Sequence, residues 1–117
     1  MNHGEFFKLM AGRKDIDLGI VHHFGAGTYI KQMSLPKGNV MGTHSHRFDH
    51  LSVLGAGVAI VTTDGGATMY HAPAVIEIKA GVHHTIAALE DVTWFCVHAT
   101  DERNPAKIDE TLVGAAA

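Results

Sequence analysis

Val58-Ala59-Ile60-Val61-Thr62-Thr63-Asp64-Gly65-Gly66-Ala67-Thr68-Met69-Tyr70-His71 is the stretch on which the fold turns. Its first six residues are apolar or β-branched, the make-up of a half-buried strand. Asp64-Gly65 follows at once and is the strongest short hairpin signal in the chain, with 67–71 as the returning strand. The same alternation of short strand-like runs and turn residues continues outward in both directions. Upstream, 18–24 stops at Gly25-Ala26-Gly27 and 28–35 stops at Pro36-Lys37-Gly38-Asn39. The runs 40–46 and 51–54 follow, the second interrupted by Gly55-Ala56-Gly57. Downstream, 67–71 reaches Pro73, 75–78 ends at Lys79-Ala80-Gly81, and 84–89 and 92–99 complete the series. Turns spaced by roughly 8–12 residues mark an all-β sandwich or barrel. No helical periodicity interrupts 18–100, and only 106–113 suits a short C-terminal helix. Phe6, Phe7, Leu9 and Met10 form an apolar cluster that fits a helical turn or a strand equally well.

A chain of 117 residues leaves room for one domain. We place the barrel core at about 18–100, with 101–117 as a C-terminal extension, inside a single domain 1–117. Nine Lys and Arg against twelve Asp and Glu give a net charge of −3 with no basic cluster, which argues against nucleic acid or an anionic membrane as partner. No apolar run approaches the ~20 residues of a membrane span. The N-terminal residues lack the layout of a secretory signal. The single cysteine, Cys96, excludes an intramolecular disulfide and fits a reducing, cytoplasmic setting. Ten histidines in so short a chain call for a metal.

His44 and His46 are two residues apart on a strand-like run, so they share a face, and His50 follows with the same parity. His84 sits behind the Gly81 turn and is placed to close a metal site from across the sheet. His83, its neighbour, should point the other way, although the two are open to exchange. Asp49 is a rival ligand if the register shifts by one, or a carboxylate that orients a ligand imidazole. His22, His71 and His98 are pocket candidates. Cys96, Trp94, Phe95, Phe48, Met33, Met41 and Met69 read as core or pocket wall.

Gly38, five residues, His44-x-His46, three residues, His50, six residues and Gly57 resemble the first motif of the cupins, with His50 where most members carry glutamate. Lys79-Ala80-Gly81-Val82-His83-His84 is similar to part of the second motif, with Lys79 in place of proline and Ala88 in place of asparagine. The resemblance spans roughly 28–99 and is to a small single-domain cupin. It implies an all-β jelly-roll barrel with one divalent metal per chain, held by His44, His46, His50 and His84. The run is also similar to the His-x-His-x-Asp-His motif of metallo-β-lactamase-like hydrolases. One residue too many precedes Asp49, however, and that fold needs about twice the length and alternating helices. The Gly25-Ala26-Gly27 and Gly55-Ala56-Gly57 runs lead into no helix and are no dinucleotide fingerprint.

Four neutral imidazoles suit Fe, Mn, Ni, Zn or Cu and leave the ion its full double charge, fit for Lewis-acid work on anions. No general base accompanies the ligands in the sequence, which favours an oxidoreductase of dioxygenase type acting on a small, partly apolar molecule. A cupin isomerase, cyclase or lyase is the alternative, and a non-catalytic metal- and ligand-binding module is a third reading. A homodimer is expected, because a small barrel leaves edge strands and apolar residues to cover and cupin relatives commonly pair.

Overall fold

The computed structural model describes residues 17–42 and 47–107. Among them, nine strands run in chain order: β1 (Val21–Gly25), β2 (Thr28–Leu35), β3 (Val40–Gly42), β4 (His50–Ala56), β5 (Val58–Thr63), β6 (Gly66–His71), β7 (Ala74–Ile78), β8 (Thr85–Ala88) and β9 (Val92–Ala99). They form a five-stranded sheet ordered β1-β2-β9-β4-β7 and a four-stranded sheet ordered β3-β8-β5-β6. Every pairing is antiparallel. The Asp64-Gly65 hairpin forms with Thr63 opposite Gly66, and the Thr63 hydroxyl accepts the Gly65 N–H at 3.1 Å. Strand alternation then decides what faces inward. Met33 and Leu35 of β2, Leu54 of β4 and Trp94 of β9 meet Val61 of β5 and Ile86 of β8 in one core shared by both sheets.

Two local features shape the end of β4. Gly55 does not break the strand, as its glycine neighbours suggested. The β4–β9 register shifts between Leu54 and Ala56, and the Phe95 ring lies so close over Gly55 that a Cβ there would come within 2.8 Å of it. Gly57 has φ +91°, and a Cβ on it would collide with the backbone oxygen of Asp91. Only glycine fits that close approach.

Phe48 and Met69 were read as wall residues but are 61% and 53% exposed. Met69 lies on β6, an edge strand that has no second sheet partner, and Phe48 precedes β4 in a loop. Trp94, Met33 and Met41 are buried as expected. Of the C-terminal helix read at 106–113, residues 105–107 are helical and the rest falls outside the described residues. The Asn104 side chain caps this start by accepting the Ala106 N–H at 2.9 Å, with Pro105 next in the chain. The cluster Phe6, Phe7, Leu9 and Met10 also falls outside them. Among the described residues, no helix is long and apolar enough to cross a membrane.

Candidate metal centre

β4 and β9 are neighbours in the five-stranded sheet, and their inward positions carry several of the buried polar side chains. On β4 these are His50 and Ser52; on β9 they are Cys96 and His98, all four buried. Ser52 lies opposite Cys96, and the same register carried one step further sets His50 beside His98. The two imidazoles are 4.3 Å apart, centre to centre. One ligand atom from each of His50, Cys96 and His98 lies within 4.8 Å of the other two. Burial pushes the Cys96 thiol above its ordinary pKa, which keeps it protonated at neutral pH.

His84 belongs to the other sheet. It immediately precedes β8, shares the parity of the core residues Ile86 and Ala88, and is buried, whereas His83 is exposed. That settles which of the pair faces inward. His84 Nδ1 lies 3.0 Å from the Val82 carbonyl. A carbonyl can only accept, so Nδ1 carries the proton and Nε2 is the basic nitrogen of the neutral ring. Anchoring one ring nitrogen on a carbonyl is how proteins orient a metal-binding imidazole. The donor chemistry of His84 therefore fits a divalent ion.

Asp49 is exposed and points elsewhere. Its carboxylate accepts the Ala80 N–H at 2.8 Å and lies 3.7 Å from the Lys79 ammonium, which also holds Glu77 at 2.7 Å. The Ala80 amide, and after it the Lys79 charge, lower the Asp49 pKa. These contacts tie the loop before His50 to the turn before His84. This carboxylate adds to the strand pairing that already joins the two motif segments, with Gly42 opposite Thr85 and His50 opposite Ile78.

The fold also brings together side chains that the local sequence keeps apart. His98 lies opposite Tyr29 of β2, with the two rings stacked 6.0 Å apart. The buried Tyr29 hydroxyl shares a 2.7 Å hydrogen bond with Nδ1 of His22, which is exposed on β1. A line of ionisable rings thus runs from His50 through His98 and Tyr29 to the surface. The pocket candidates His22 and His98 take part in it, and His71 is exposed on β6. Cys96, read as wall, lies in the polar cluster. Its shared parity with His98, two residues on, was the available signal. His44 and His46 lie outside the described residues.

Comparison with solved structures agrees with this architecture. A cupin-2 domain protein from Shewanella frigidimarina superimposes with a TM-score of 0.60 at 13% identity, covering 85% of this chain and 93% of its own. A cupin superfamily protein from Desulfitobacterium hafniense gives 0.59 at 16% identity, covering 80% and 88%. A cupin 2 domain-containing protein from Halorhodospira halophila gives 0.62 at 14% identity, covering 80% and 70%. No protein-family model matches the chain, and no curated protein matches it. The chain has a cupin-type all-β fold with a candidate metal-binding cluster in its interior.

Proposed function

We propose that the protein is a metal-dependent cupin enzyme acting on a small molecule, an oxidoreductase of dioxygenase type. In this reading one divalent transition metal per chain, Fe, Mn, Ni, Zn or Cu, is held by His44, His46, His50 and His84. The observation that carries it is the His84 ring, buried and fixed in the tautomer that leaves Nε2 basic. A divalent ion with four neutral ligands supplies Lewis acidity toward an anionic or enolate substrate. Trp94, Leu54 and Ile86 belong to the buried apolar core shared by the two sheets.

The Tyr29–His22 hydrogen bond favours a second reading, an isomerase, cyclase or lyase. There Tyr29 would hold or release a proton inside the barrel, and His22 would exchange it with solvent. Oxygen consumption on adding candidate substrates separates the two. The first reading requires it, and turnover without oxygen uptake establishes the second.

Elemental analysis of protein purified without added metal tests the centre itself. We expect about one transition metal per chain in Cys96→Ala, which removes the one thiol as a rival ligand, and a large loss when His84→Ala is added to it. Equal metal content in the two proteins overturns the assignment. The reading also includes a homodimer in a reducing, cytoplasmic setting.

A further inference from the structure

His50 belongs to the ligand set just proposed, but its nearest polar company is different. His50, Ser52, Cys96 and His98 form a two-by-two block on the inward faces of β4 and β9, and each is 7% exposed or less. Ser52 sits within the block, its hydroxyl 3.3 Å from His50 Nε2 and donating to Cys96 Sγ at 3.8 Å. The two nitrogens and the sulfur lie within 4.8 Å of one another. In a tetrahedral site with metal bonds of ~2.0–2.3 Å, ligand atoms stand roughly 3.4–3.7 Å apart. Side-chain shifts of about an ångström therefore close the three donors on one ion. Two imidazoles and a thiolate make a softer set than four imidazoles and favour a thiophilic d10 ion.

We propose that His50, Cys96 and His98 form a second, mixed nitrogen–sulfur metal site, selective for Zn(II) or Cu(I), that shares His50 with the four-imidazole centre. The two sets compete for one side chain, so an ion settles in one or the other. Binding at the mixed site forms a metal–sulfur bond and breaks the S–H bond of Cys96, whose proton is released to solvent. The assignment takes only His50 from the four-histidine reading and stands without His44, His46 or His84.

Cobalt(II), a spectroscopic substitute for Zn(II), provides the test on the full-length chain under anaerobic, reducing conditions. Cys96 is the chain's one cysteine, so any thiolate-to-cobalt charge-transfer absorption comes from it. We expect that near-ultraviolet band in the wild type. It should strengthen to one equivalent of Co(II) in the double variant His44→Ala/His46→Ala, where His50 no longer has a rival set. His98→Ala should weaken cobalt binding in that background at least tenfold. Absence of the band from the double variant overturns the mixed site, and so does a band there that His98→Ala leaves unchanged in affinity. Failure of the four-histidine centre reads out separately in a Cys96→Ala background, which lacks the mixed site, as metal content that adding His84→Ala does not alter.

Discussion

The burial of His50 and the exposure of Asp49, its neighbour, assign them different work. His50 faces the interior beside His98, while the Asp49 carboxylate is taken up by the Ala80 amide and the Lys79 ammonium. Three variants compared side by side test this division. His50→Glu should keep its metal while shifting preference toward harder, oxygen-loving ions, because a carboxylate replaces one imidazole and lowers the charge of the centre. His50→Ala should lose metal, and Asp49→Ala should retain it. An empty Asp49→Ala site beside a full His50→Ala site would reverse the assignment. Cys96 makes a separate prediction. Its folded pKa lies above the ordinary 9.0, so its contribution to stability is complete below that pH and is lost as pH climbs toward the raised value. Urea unfolding of the metal-free protein should therefore show stability falling above about pH 9. Cys96→Ala should fall less over the same interval, and parallel curves would contradict the shift.

At the level of the strand, much of the fold was legible because its punctuation is local. β2, β5 and β9 occupy the runs 28–35, 58–63 and 92–99 read from the sequence, each bounded by glycine, proline or aspartate turns. Gly55 was misread as a break, because what accommodates it is the Phe95 ring on a different strand, 40 positions along the chain. The same limit hid the polar cluster. His50 carried a motif, but Cys96 and His98 join it only through β4–β9 pairing, which no local pattern reveals. The part played by Gly57 likewise depends on a remote partner, the Asp91 backbone, together with its own φ. Gly57→Ala should destabilise the protein by about 3 kcal/mol, combining a forbidden φ with a backbone clash that cannot relax like a side chain. Thermal and urea unfolding measure this directly, and a loss under about 0.5 kcal/mol, the range of ordinary surface substitutions, would show that the close approach is not needed.

Across the whole molecule, the outer face of the five-stranded sheet carries an apolar patch beside Gln32 and Glu77. Leu51 and Val75 are 50% and 66% exposed, and cross-strand pairing aligns them with Val53, Phe95, Val97 and Ile30. A contiguous apolar face of this kind is uncommon on a monomer. We expect the proposed homodimer to use it, so light scattering should give twice 12.5 kDa at micromolar concentration. Leu51→Asp should return the protein to monomer with its fold intact. A wild-type mass of one chain would remove the dimer, and a Leu51→Asp protein that stays dimeric would move the contact elsewhere.

Trp94 is the chain's only tryptophan, 1% exposed, and it shares the inward face of β9 with Cys96 and His98. A buried indole emits at shorter wavelength than a hydrated one, and an open-shell transition ion held a few side chains away drains its excited state. The protein thus carries its own optical gauge. Loading with Cu(II) or Fe(II) should dim the blue-shifted emission, Zn(II) should leave it bright, and unfolding should redden it. Occupancy and integrity can then be followed separately in one cuvette without a label.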